Sequence, residues 1–344
     1  MSDIHLRKVG RTGRITLNRP DALNAVTHDM LLKIAAVLPD WAADDDIAML
    51  VIDAVGERAF SAGGDLAGMY QFMSDGAFDK ARRFWFDEYR VNAALFDFPK
   101  PVASFMQGFT MGGGVGVGCH GSHRVVGAGS KIAMPECGIG LAPDVGGTLL
   151  LARAPGRLGE YLGTTGHRMG PEDAILAGFA DYCIPEAEWP ALIVSLEESG
   201  DWEAIDRAAT PPAPAPLANA RDIDRCFSGD TFRDIVLALQ HDSSDWATET
   251  LVRLSRNAPL AMAATIELVH RARTRDQIDF ALMNEYRFSY RVAEQGDFKE
   301  GIRAAIIDKD KAPKWEHDTL ESPSQMDVAR MLMPLDDVEW TRGD

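Results

Sequence analysis

The sequence is short of cysteine, of basic residues and of long apolar runs, and each lack closes off a class of function. Only four of its 344 residues are cysteine: Cys119, Cys137, Cys183 and Cys226. No two share CxxC spacing, so neither a disulfide framework nor a cysteine-built zinc site is expected, and no metal is assigned. No uninterrupted apolar stretch approaches the ~18–20 residues of a membrane span, so no membrane partner is expected. Lys and Arg number 35 against 52 Asp and Glu, a net charge of −17. So acidic a balance argues against nucleic acid as a partner. GxSxG, HExxH and the P-loop pattern are all missing, which removes serine-elbow, zincin and P-loop chemistry. The opening MSDIHLRKVG carries no apolar signal core, and the expectation from this reading is a cytoplasmic protein.

What is present is globular in composition, 46% hydrophobic and 25% charged. Residues 13–18 alternate as a strand, and 24–38 read as a helix. A buried strand spans 48–56, and a strand edge spans 58–66. Residues 77–97 form an amphipathic helix, 100–108 another strand, and 112–118 a glycine-rich turn; HRVVG and KIAMPE are further short strands. Strand, strand, helix recurs. This predicts an α/β protein built as a stack of ββα turns. TPPAPAP, residues 210–216, places four prolines in seven positions and cannot be helix interior. It divides the chain into an α/β core at 1–209 carrying the site, a linker at 210–216, and a mainly helical region at 217–344. Periodic runs there cover 231–240, 245–256, 259–273 and 276–294.

Three patterns bear chemistry. GVGCHG (116–121) fits GxGxxG, yet the following HRVVGAGS ends without the acid that a dinucleotide site requires. The glycines read better as tight packing with exposed backbone amides. FTMGGGVG and SAGGD each place such amides after a strand; two converging donors would form an oxyanion hole. MPECGIGLAPDVGG sets Glu136 and Asp144 eight residues apart in otherwise apolar chain, where a carboxylate is costly unless paired or used. Glu88 shares an apolar helical stripe with Phe84, Val91 and Leu95, where it either pairs with a buried Arg or lines a cavity. Chemistry here would rest on carboxylates and water rather than a serine triad.

LNRPDALNAV, GERAFSAGGDL, QGFTMGGGVG and MPECGIGLAPDVGG together resemble, in order, motifs of the crotonase (enoyl-CoA hydratase/isomerase) superfamily. The resemblance implies a spiral of ββα turns with C-terminal helices, assembled as a trimer or hexamer. It also implies an acyl-CoA substrate, with coenzyme A entering as part of that substrate and no separate cofactor. Within the superfamily the chain most resembles the 3-hydroxyisobutyryl-CoA hydrolases. Gly116 stands where hydratases carry a catalytic Glu, Asp144 where they usually carry Gly, and residues 284–315 resemble the hydrolases' C-terminal segment. By that resemblance Gly64 and Gly113 supply the oxyanion-hole amides. Glu136 is general base or nucleophile, and Asp144 places the water, the acyl hydroxyl or both. Glu88, Gly113, Glu136 and Asp144 contact the substrate. Ala22, Leu23, Ala62, Gly64, Asp65 and Leu66 wrap coenzyme A. Lys309, Lys311 and Lys314 either meet its phosphates or form a solvated charge run. The reaction implied is hydrolysis of a short 3-hydroxyacyl-CoA, 3-hydroxyisobutyryl-CoA of valine breakdown. An enoyl-CoA hydratase or isomerase is the alternative, and a non-catalytic CoA-binding protein a third reading.

Overall fold

Residues 2–219 and 221–343 are described by a computed structural model; residues 1, 220 and 344, the last two within the 217–344 region, lie outside it. The chain groups into two compact units. The first comprises the chain up to Gly64, Asp87–Ala133 and Arg168–Ala218. The second comprises Asp65–Phe86, Met134–His167 and the chain from Asn219 onward.

The first unit is built from strands laid down in pairs. β1 (Ile4–Val9) and β2 (Thr12–Leu17) form an antiparallel hairpin, with Ile4 opposite Leu17. Helix α1 (His28–Ala43) follows, then β3 (Met49–Ala54) and β4 (Ala59–Ser61); the chain next forms helix α2 (Leu66–Ser74) in the second unit and helix α3 (Phe78–Phe96), which belongs to the first unit from Asp87 on. β5 (Val102–Phe105), β6 (Phe109–Met111) and α4 (Gly113–Gly118) repeat the unit, and β7 (His123–Val126) and β8 (Lys131–Ala133) begin it again. From β3 on, the strands of each pair part company. β3, β5 and β7 join a six-stranded sheet of order β1-β2-β3-β5-β7-β9, where β9 is Tyr182–Cys183; β4, β6 and β8 form a second, three-stranded sheet. Among the described residues, the pairings between these strands are parallel except β1–β2. The strand-strand-helix repeat read from the sequence is therefore the way the chain feeds two parallel sheets at once.

Parallel strands covered on both faces are continuously apolar, and β3 reads MLVI with all four residues buried. Met49, Val51, Phe105 and Val125 pack on the helix Trp189–Ser199 through Trp189, Ile193 and Leu196. Trp189 meets Phe105 edge-on at 5.6 Å between centroids and donates its indole N–H to the Ile184 carbonyl. α1 starts at His28 rather than near Asn24, because Leu23 (φ 51°) and Asn24 (φ 54°) are left-handed and the chain becomes helical only after the Thr27 cap. β1 lay unread in the sequence: its burial is shallow, and IHLRKV mixes apolar with basic side chains.

The second unit is mainly helical. Phe232–His241, Asp245–Leu254, Pro259–Thr274 and Ile278–Val292 match the four periodic runs to within a few residues. At the proline-rich segment, Thr210 N–H donates to the Cys183 carbonyl and Leu217 N–H to the Asp173 carboxylate, so both ends are tied to the first unit. No helix of the described residues is long and apolar enough to cross a membrane. Cys119 is buried in the first unit, Cys137 and Cys226 in the second, and Cys183 is half-buried. Burial pushes the Cys119 and Cys137 thiols up to about 12.

Candidate active site

The first unit gathers the glycine motifs. Asn24, fully buried, holds the loop after β2 against the β3–β4 connection. Its amide donates to the Val55 and Ala59 carbonyls, at 3.0 and 2.9 Å, and its carbonyl oxygen accepts from Arg19 N–H at 2.8 Å. This sets Ala22 and Leu23 beside the SAGG turn, where Ala62 N–H donates to the Leu23 carbonyl and Val26 N–H to that of Gly63. The bridge between Val26 and Gly64 uses the Gly63 carbonyl and leaves the Gly64 N–H outside it.

Gly63 (φ 110°) and Gly112 (φ 51°) occupy backbone conformations that favour glycine, and each turns the next residue's amide. Gly113 is the first residue of α4, so its N–H has no intrahelical acceptor. A Cβ placed on Gly113 would lie 3.2 Å from the Gly64 nitrogen and 2.8 Å from Oε1 of Glu88. Gly64, Gly113 and Glu88, far apart in sequence, thus meet at one point. Glu88 is buried on α3, as are Phe84, Val91 and Leu95 along its stripe.

The second unit gathers the acids. Glu136 opens a single 3-10 turn, Glu136–Ile139, after Pro135. Its carboxylate is buried, and Oε2 has no hydrogen-bond partner among the described residues. Burial first, then the charge of Asp144, then that of Glu285, hold its carboxyl well above the usual range. Asp144 is also buried, and its carbonyl accepts from Gly147 N–H at 2.7 Å. The next residue, Val145, sits at φ 54°, a conformation costly for a β-branched side chain by roughly 1–3 kcal/mol. Gly146 follows at φ 78°, and α5 (Gly147–Arg153) begins. Glu285, on the helix Ile278–Val292, closes this cluster by accepting from Gly146 and Thr148. Burial outweighs those donors and raises its carboxyl to about 8.

Glu285 escaped the reading of the sequence, although the signal that marked Glu88 was there. Ile278, Ala281, Leu282, Glu285, Ser289 and Val292 recur at helical spacing and are all buried, an acid within an apolar stripe.

The remaining expected residues lie as follows. Asp65 caps α2, accepting from Gly68 N–H at 3.4 Å, and Leu66 is the first residue of that helix. Lys309, Lys311 and Lys314 are exposed. The intervening Asp308 and Asp310 are drawn to Arg303 at 2.6 and 2.7 Å, which leaves the run alternating in charge rather than wholly basic.

The arrangement offers two capacities: a pair of backbone donors suited to developing negative charge on a carbonyl oxygen, and a buried pair of acids in which the charge of Asp144 helps to hold the Glu136 carboxyl up.

The sequence profile described as enoyl-CoA hydratase/isomerase matches residues 12–332. The chain is 34% identical to a Danio rerio protein named 3-hydroxyisobutyryl-CoA hydrolase, mitochondrial, over 98% of this chain and 91% of that one. It is 35% identical to the Homo sapiens protein of the same name, over 95% and 87%. A crystal structure described as an enoyl-CoA hydratase from Rhodobacter sphaeroides 2.4.1 superposes with a TM-score of 0.93 at 52% identity, covering 99% of this chain and all of that one. A crystal structure described as a carnitinyl-CoA dehydratase from Mycobacterium thermoresistibile gives the same TM-score at 41% identity.

These relatives correct one expectation. The curated hydrolases are named mitochondrial, which overturns the cytoplasmic reading. That reading rested on the lack of an apolar signal core, which bears on secretion; leaders for mitochondrial import are amphipathic instead. With its motifs, its two parallel sheets and a full-length match, the chain belongs to the enoyl-CoA hydratase/isomerase family and has the crotonase fold.

Proposed function

We propose that this chain hydrolyses a short 3-hydroxyacyl-CoA thioester, with 3-hydroxyisobutyryl-CoA as the substrate. The observation that carries the reading is the buried Glu136–Asp144 pair, in which one Glu136 oxygen has no hydrogen-bond partner among the described residues. The Gly64 and Gly113 amides receive the thioester oxygen as it gains charge, at about 3 kcal/mol per donor. Glu136 takes a proton from water as the water attacks the carbonyl carbon, or attacks that carbon itself to give an anhydride that water then opens. Asp144 holds the water or the acyl hydroxyl. The carbon–sulfur bond breaks, and the proton passes to the CoA sulfur. Glu88, against Gly113, is assigned to the acyl group, and the Ala22–Leu23 and Ala62–Leu66 segments to coenzyme A. The names of the curated relatives support hydrolysis.

One observation favours a second reading: the Rhodobacter sphaeroides structure at 52% identity is described as a hydratase. Thiol release separates the two, because hydration leaves the thioester intact. Incubation with 3-hydroxyisobutyryl-CoA is expected to free CoA thiol, with the activity lost in Glu136→Gln and cut to a small residual rate in Asp144→Asn. No release, with Glu136-dependent hydration of a short enoyl-CoA, would leave the hydratase reading in its place.

A further inference from the structure

We propose that Glu285 is a positioning residue for this reaction: it locks the turn 144–148 in the strained conformation that presents Asp144 to Glu136, without touching the substrate. The proposal rests on the hydrolase reading for its rate effects and on the geometry of the second unit for its cause.

Residues Asp144 to Thr148 form a turn that its own sequence does not favour. Val145 is left-handed, and Gly146 continues left-handed behind it. One bond inside the turn, Gly147 N–H to the Asp144 carbonyl, resists its relaxation. Three more bonds come from a single side chain, 139 residues beyond Gly146. Oε2 of Glu285 accepts from Gly146 N–H at 2.8 Å, and Oε1 accepts from Thr148 N–H at 3.0 Å and from the Thr148 hydroxyl. Glu285 is 1% exposed, so water does not compete for these donors. Both oxygens are committed to the two amides that flank the strained segment. A carboxylate suits this task because it offers an acceptor on each side; an amide offers only one. The same carboxyl acts electrostatically on Asp144 and on Glu136, and so links the shape of the turn to the proton affinity of the pair.

Two substitutions separate position from charge. Glu285→Gln keeps the size, removes the charge, and turns an NH2 group toward one of the two amides. Glu285→Asp keeps the charge but draws it back from both. With 3-hydroxyisobutyryl-CoA, Glu285→Gln is expected to lower kcat by up to about 100-fold, the scale of a misplaced reacting group. KM should change little, because no substrate contact is lost. Toward pH 8, where Glu285 begins to ionise, its charge raises Glu136 further; Glu285→Gln removes that charge, so the pH–rate profile in that range should move to lower pH. Glu285→Asp should lose kcat while holding the wild-type profile. Wild-type kcat and profile in either folded variant would overturn the proposal. Should Glu285→Gln fail to fold, the aspartate variant decides. Should the wild type release no thiol, the hydrolase reading falls separately, and amide hydrogen exchange settles the geometric claim. Gly146 and Thr148 should exchange faster in the variants, and unchanged protection there would sink it.

Discussion

At Gly113 one methyl group is enough to test the oxyanion reading. An alanine Cβ would stand 2.8 Å from a Glu88 oxygen and 3.2 Å from the Gly64 nitrogen, crowding both. Gly113→Ala is therefore expected to lower kcat/KM by about 100-fold or more, the usual cost of losing one such donor. Calorimetry would show whether the fold is kept, and a variant retaining a third of the activity would contradict the assignment. Glu136 sets the pH behaviour. Burial and two neighbouring acids favour its protonated form, so a base mechanism loses rate as pH falls through a value well above the ordinary range. Removing the charge of Asp144 relieves part of that repulsion. The residual rate of Asp144→Asn should consequently have its acid limb at lower pH than the wild type; a limb that stays put would mean that another group controls the rate. These residues were legible because glycines and acids in an apolar stretch are conspicuous. Glu285 carried the same mark, an acid in an apolar stripe, but its tie to a turn 139 residues earlier was not legible, because no local pattern encodes it.

Among the elements, the loop between β2 and α1 depends on one amide side chain. Asn24 satisfies Arg19 N–H, the Val55 carbonyl and the Ala59 carbonyl while fully buried. Asn24→Ala strands all three groups and should cost about 2–3 kcal/mol in urea unfolding. A loss under about 0.5 kcal/mol, the level of an ordinary surface change, would show that the loop holds itself. The same residue explains why the start of α1 was misread. Composition shows that ALNAV can be helical, but not that Leu23 and Asn24 are held left-handed by bonds to a distant strand connection. By contrast α3 and the long C-terminal helices were legible to within a few residues, because their amphipathic period is long and uninterrupted. β1 was hidden for the opposite reason, as a shallowly buried edge strand with little period to read.

For the molecule as a whole, buried acids shape stability against pH in opposite directions. Glu160 is held down to about 2 despite burial, by His270, Arg273 and Arg157. Its stabilisation is complete above its ordinary range and is lost as pH falls toward that value. Glu285 is raised to about 8, so it favours the folded state when protonated and costs stability as pH rises from about 4.5 to 8. The decline of Tm between pH 5 and 8 should accordingly be shallower in Glu285→Gln than in the wild type; parallel curves would refute the assignment. The ββα repeat was legible at this scale as a rhythm of elements, but the sorting of alternate strands into two sheets was not, because pairing partners are set by tertiary packing rather than by local pattern. The cysteines carry a last consequence. Cys119 is sealed in the first unit, and Cys137 and Cys226 in the second. Thiolates react and buried thiols do not, so alkylation must wait for each unit to open. Mass-resolved labelling over time would then read out, without any engineered probe, whether the two units breathe together or one by one.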